Sequence, residues 1–164
     1  MDAIEALRTR RCCRRYTDQP VAPALLEQII DAGRLAATAR NEQPCDFVVV
    51  TSAETRRRIA DLSEHGKFIA ESPACIAVIA KDTKYYVEDG SAATQNLLLA
   101  AHAVGLASCW VAGDKKAYAP QIVELLGAPP TMRLVALVAV GYPRTDLPNP
   151  PKRPLEEVIH WERF

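Results

Sequence analysis

Leu134-Val-Ala-Leu-Val-Ala-Val140 is an unbroken apolar run that stops at Gly141-Tyr-Pro143. A strand with no polar alternation must be covered on both faces. The chain therefore needs helices on both sides of a sheet. Asp46-Phe-Val-Val-Val-Thr51, Ala74 to Ala80 and Ser108 to Val111 read as further strands from their β-branched and small apolar content. Helical patterns separate them. Asp2 caps a first helix from Ala3 to about Thr9, and Pro23 opens a second that runs to about Ala37 with Leu25, Leu26, Ile29, Ile30 and Leu35 on its apolar face. Helices are also expected over Glu54–His65, Tyr85–Val104, Lys115–Leu126 and, at the end, around Leu155–His160. This order contains no repeats. It predicts one α+β domain over residues 1–164, with a central mixed or antiparallel sheet flanked by helices.

After Gly141 the character of the chain changes. Tyr142 to Pro154 carries five prolines and predicts an extended arm. Beyond it, Leu155, Val158, Ile159, Trp161 and Phe164 need apolar surroundings. They can dock on their own chain or on a second subunit, so residues 142–164 form a candidate exchanged arm.

Composition is ordinary for a globular protein, at 49% hydrophobic and 24% charged residues in a 164-residue chain. Acidic and basic residues balance at 20 each, which speaks against bulk attraction to nucleic acid or membrane surfaces. No apolar leader opens the chain, and the stretch Leu97–Gly113 is interrupted by His102, Gly105 and Ser108. The cytoplasm is the expected compartment. No GxGxxG or phosphate-binding loop motif is present.

Against this neutral background, Arg8, Arg10, Arg11, Arg14 and Arg15 crowd the first fifteen residues. Arginine binds phosphate through paired charge-assisted hydrogen bonds and stays protonated, so the cluster suits one anionic ligand. The same residues also read as a solvated helix face and a basic turn. Five cysteines, Cys12, Cys13, Cys45, Cys75 and Cys109, show no CxxC or zinc spacing, and no metal site is expected. Cys75 and Cys109 sit in apolar runs and read as core thiols. Cys12 lies among arginines, which favour thiolate, and a redox-active Cys12–Cys13 pair is an open reading.

Three separated pieces then combine: Arg10-Arg-Cys-Cys-Arg-Arg-Tyr16, Asn41-Glu-Gln-Pro-Cys45, and Lys152-Arg-Pro-Leu-Glu-Glu-Val-Ile-His-Trp161. With Gln19-Pro-Val21, Gln95–Ala101, Gly105–Trp110 and Gly141-Tyr-Pro143, they resemble the nitroreductase family of FMN-dependent oxidoreductases, in order along nearly the whole chain. The resemblance implies an α+β sandwich that forms an intertwined homodimer, with two FMN molecules in the interface. It implies that Arg10, Arg11, Cys12 and Arg14 line the FMN site. Arg10 would hold the phosphate and Arg14 would lie near the pyrimidine edge, where negative charge gathers on reduction. It further implies that Asn41 reads the flavin's amide-like edge beside Gln43 and Pro44, that Lys152 and Arg153 clamp the phosphate from the arm, and that backbone at Gly113 passes close to the ring. On their own, Asn41 reads equally as a turn residue and Lys152–Arg153 as a solvated basic pair. His160 reads as structural, so no side chain is assigned a catalytic acid or base role.

By the same resemblance, the activity is electron transfer from NADH or NADPH through FMN to a small electron-poor acceptor of nitroaromatic or quinone type, with ping-pong kinetics. Two alternatives stay open: a flavin carrier or sensor, and a family member using flavin for dehalogenation, fragmentation or dehydrogenation. Cys12 stands where the family pattern has serine, and Cys45 where it has tryptophan.

Overall fold

The computed structural model describes all 164 residues. Helix α1 (Ala3–Thr9) begins where Asp2 accepts a hydrogen bond from the Glu5 N–H at 2.8 Å. It is followed by α2 (Pro23–Arg34), β1 (Cys45–Val50), α3 (Ala53–Leu62) and β2 (Ala74–Lys81). Then come α4 (Tyr86–Ala103), β3 (Ala107–Ala112), α5 (Ala119–Leu125) and β4 (Met132–Gly141). The fold is α+β, and the sheet is wholly antiparallel in the order β1-β2-β4-β3.

The two central strands explain the apolar runs. Along β2, Ala74, Ile76, Val78 and Ala80 face one core with Leu26, Ile29, Leu97 and Ala101 of α2 and α4. Cys75, Ala77 and Ile79 face a second core with Ile59, Ile69 and Ile122 on the α3 and α5 side. Strand β4 does the same, and both strands are buried throughout their centres because helices cover both faces. Between Val78 and Ile79 the β2–β4 register skips Val135. That bulge places Val135 and Ala136 in the same core. It lets Gly90 of α4 pass against Val135 so closely that a Cβ there would sit 2.7 Å from a Val135 methyl.

Several expected elements come out shorter, α2 among them, which stops at Arg34 rather than near Ala37. Helix α3 stops at Leu62, and α5 starts only at Ala119 because residues 113–118 form turns. The expected last helix is a single 3-10 turn, Leu155–Glu157, and nothing in this chain packs against it. Segments this short do not hold a helix without tertiary support.

One feature was not expected. Residues 10–17 run extended along the sheet end. Cys12 bridges to Ser108 of β3, and Tyr16 bridges to Pro143 just past β4. The Tyr16 hydroxyl is buried and donates to the Cys13 carbonyl at 2.6 Å. The arginine segment is thus laid against the exit of the arm.

Candidate functional site

At the end of the sheet where β3 begins and β4 finishes, the arginine segment and the arm come together. The Cys13 N–H donates to Ser108 O, Thr17 N–H to Tyr142 O, and Arg144 N–H to Arg15 O. Arg11 Nε donates to Asn149 Oδ1 at 2.5 Å and its Nη1 to the Arg8 and Arg10 carbonyls at 2.8 Å. Asn149 is three residues from Lys152, a reach of about 10 Å when extended. The structure therefore brings Arg10, Arg11, Cys12 and Arg14 to one place and leaves Lys152 and Arg153 within a short span of it.

The charges here are uncompensated. None of Arg8, Arg10, Arg11, Arg14 and Arg15 joins an ion pair, whereas Arg34, Arg133, Arg144 and Arg153 all do. Arg14 lies over the Phe68 ring at 5.9 Å, and Arg10 Nη1 stands 3.8 Å from Cys12 Sγ. Arg153 folds back on Glu157, with Nη2 donating to its carbonyl at 2.8 Å. Lys152 has no acidic partner. Several guanidinium groups without counter-charges form a donor set that matches a doubly charged phosphate. His102 of α4 underlies the cluster, with Nε2 and Thr9 Oγ1 2.7 Å apart. Burial, and then Arg10 and Arg11, push its imidazole below the ordinary value. The Ser108 hydroxyl, beside Cys12, is buried without a hydrogen-bond partner.

Asn41, Gln43 and Pro44 lie elsewhere. Their loop leads into β1 at Cys45, whose partner is Ala80, which in turn faces Arg133. The arginine end of the sheet is at Val140, opposite Ser108. Six residues along β2, Ala80 to Ala74, separate the two levels, about 20 Å at ~3.4 Å per residue. One chain thus holds the Asn41 loop and the arginines at opposite ends of its sheet. Gly113 shares the Asn41 end. Its glycine is required by the fold itself, since a Cβ would meet Leu134 Cγ at 2.7 Å and Leu134 O at 3.0 Å. A cavity of about 750 Å³ also lies there, lined by α5 and the start of β4, with the Tyr86 hydroxyl donating to Asp114 in its wall.

The thiols divide as burial dictates. Burial pushes Cys75 and Cys109 up to about 12 and Cys45 up to about 11. Cys13 is also raised, by burial first, and donates to Arg15 O at 3.1 Å. Cys12 is the half-buried thiol of the cluster. The raised values carry a stability consequence. An unfolded chain releases these protons near 9.0, while the folded chain keeps those of Cys75 and Cys109 to about 12. Above 9 the unfolded state binds fewer protons, so stability falls as pH rises through that window. Urea midpoints measured from pH 8 to 11 are expected to decline. The paired substitutions Cys75→Ala and Cys109→Ala are expected to flatten the decline, and an unchanged slope would show that other groups cause it.

Sequence reasoning missed His102, Asn149, Phe68 and Ser108. Each reaches the cluster through topology, and of the four only Ser108 lies in a quoted piece of the family pattern, Gly105–Trp110. Its five arginines were visible, but their lack of partners was not.

A profile of the nitroreductase family matches residues 7–74 and 64–142. The chain belongs to the nitroreductase family. It is 34% identical over 152 residues to an Archaeoglobus fulgidus protein named as a candidate NADH dehydrogenase/NAD(P)H nitroreductase, a match covering 88% of this chain and 87% of that one. Among solved structures it superposes with an FMN-dependent nitroreductase from Clostridium difficile at TM-score 0.92 and 26% identity, covering 98% and 99% of the two chains. It also superposes with a candidate nitroreductase in complex with FMN from Desulfovibrio desulfuricans at TM-score 0.87 and 30% identity, covering 100% of this chain and 98% of that one.

Proposed function

We propose that this protein is an FMN-dependent NAD(P)H oxidoreductase that works as a homodimer and delivers electrons to a small electron-poor acceptor of nitroaromatic or quinone type. The observation that carries the reading is the set of unpaired arginines beside the exit of the arm, in a member of a family with FMN-bound relatives. Arg10, Arg11 and the Cys12 segment would hold the phosphate, joined by Lys152 and Arg153 of the arm. Arg153 must leave Glu157 to do so; the pair is exposed, so its loss costs about 0–1 kcal/mol. Arg14 would place a fixed positive charge at the pyrimidine edge.

The separation of the two sheet ends supports a second subunit. The Asn41 loop lies about 20 Å along the sheet from the arginines of its own chain. A partner related by a two-fold axis, with its sheet running the opposite way, would bring its own loop to them and complete the site twice over by symmetry. The partner would also cover Leu155, Val158, Ile159, Trp161 and Phe164, all exposed in the single chain. Ile4 and Leu7 on α1 are exposed in the same way.

When bound, FMN would supply the redox chemistry, hydride acceptance from NADH or NADPH and electron delivery to the acceptor, in a site held by Arg10, Arg11, Arg14, Lys152 and Arg153. The protein's part is to bind, orient and tune through fixed cations and amide groups. No imidazole or carboxylate needs to move a proton. Donor and acceptor using the site in turn predicts ping-pong kinetics. No helix is long and apolar enough to cross a membrane. The test is the absorbance of the purified protein. It is expected to be yellow and to bleach under NADH or NADPH without oxygen. Bleaching by dithionite alone would favour a carrier or sensor, and failure to take up FMN would end the proposal.

A further inference from the structure

The loop before β1 holds a conformation that its residues do not choose unaided. Arg40, Asn41 and Gln43 have φ of 55°, 57° and 48°, three left-handed residues within four positions and none of them glycine. Such residues persist only where surroundings over-determine them. Three hydrogen bonds provide that support. Gln43 N–H donates to Thr38 Oγ1 at 3.1 Å, and Lys81 N–H donates to Pro44 O at 3.0 Å. The third, like the Lys81 bond, ties the loop to another element: Ala39 N–H donates to Asp89 Oδ1 of α4 at 2.9 Å.

Asp89 is unusual for its position. It sits in the first turn of α4, where a carboxylate suits the positive end of the helix. Yet it is only 4% exposed, and Oδ2 is buried without a hydrogen-bond partner. No basic side chain pairs with it. A buried carboxylate with half its acceptor capacity unused is costly, so stability alone gives little reason for it. Its single bond falls on the residue that enters the left-handed stretch, two positions before Asn41.

We propose that Asp89 is a positioning residue that clamps the Thr38–Pro44 loop to α4 and so presents Asn41 to the flavin. The inference rests on the function proposed above for its link to FMN. The loop half stands on the geometry alone. Asp89 acts through the backbone at Ala39 and touches neither cofactor nor substrate in this scheme. An aspartate-to-asparagine change keeps an oxygen at the Oδ1 position, whereas alanine removes the acceptor and leaves the Ala39 N–H unpaired.

The test uses the full-length protein with Asp89→Ala, Asp89→Asn, Asn41→Ala and the Asn41→Ala/Asp89→Ala pair, each checked for folding by circular dichroism. Hydrogen exchange of the apo-protein is read over residues 38–44. Asp89→Ala is expected to speed exchange there by about tenfold or more, and Asp89→Asn to leave it near wild type. In FMN titrations, Asp89→Ala is expected to bind about tenfold more weakly, ~1.4 kcal/mol. Asp89→Asn should rescue most of that loss, and the double variant should bind no more weakly than Asn41→Ala. Unchanged exchange in Asp89→Ala overturns the inference. So does an FMN loss of equal size in the wild-type and Asn41→Ala backgrounds. A wild type that takes up no FMN overturns the function and this inference together, whereas FMN binding indifferent to Asp89→Ala overturns this inference alone.

Discussion

Cutting the chain after Leu147 is expected to give a folded, colourless monomer. Both cores are complete without the removed segment, and every residue from Pro148 to Phe164 is exposed in the single chain. The lost contact to the rest of the chain is the Arg11–Asn149 hydrogen bond, so the sheet and helices should keep their circular dichroism. What disappears is the apolar content of the arm, including Trp161 at 81% exposure and Phe164, fully exposed. Burying five such side chains against a partner is worth about 7–15 kcal/mol gross, at ~1.5–3 kcal/mol each. Association itself costs an estimated ~4–15 kcal/mol in lost freedom. Removing the arm therefore removes a term as large as the cost it opposes, and Lys152 and Arg153 go with it. Light scattering after gel filtration and the visible spectrum read the outcome. A truncated protein that stays dimeric and yellow would refute the exchanged arm.

The second large effect is expected at Arg10. Replacing Arg10 by Ala should weaken FMN binding by roughly 10- to 150-fold, the equivalent of ~1.5–3 kcal/mol for a charge-assisted bond to phosphate. Fold stability should hardly move, because the guanidinium joins no ion pair and its one hydrogen bond is the weak 3.8 Å approach to Cys12 Sγ. Arg8→Ala is the control. Arg8 is equally unpaired but exposed on α1, so its loss should change affinity less than threefold. Equal losses for the two variants would mean diffuse attraction rather than a defined phosphate seat. Fluorescence titration with FMN distinguishes them.

Much of this architecture was legible in the chain. The run Leu134–Val140 demanded cover on both faces, and β4 has it. Asp2, Pro23 and the proline-rich segment marked boundaries that the structure keeps or shifts by a few residues. The ordered pieces from Arg10 to Trp161 carried the family, and the family profile agrees. The rest depended on three-dimensional placement. Asn41 tolerates a left-handed backbone, but Arg40 and Gln43 gave no hint of one. Asp89 looked like any acidic residue in a first helical turn, and only packing against the Ala39 turn shows its burial. The distance between the Asn41 loop and the arginines follows from strand order, which residue patterns do not reveal. Leu155–His160 has helical periodicity, yet the single chain gives it no surface to lie on.

In the dimeric FMN site proposed above, the backbone latch joining Arg15 and Thr17 to Arg144 and Tyr142 would set how newly made chains mature. The arginine strand and the take-off of the arm are hydrogen-bonded together, so in that scheme a lone chain would carry half a seat and a tail without a berth. Cofactor capture would then wait on encounter between two chains. Flavin loading should follow second-order kinetics in polypeptide, so dilution during refolding would stall it even when free FMN is abundant.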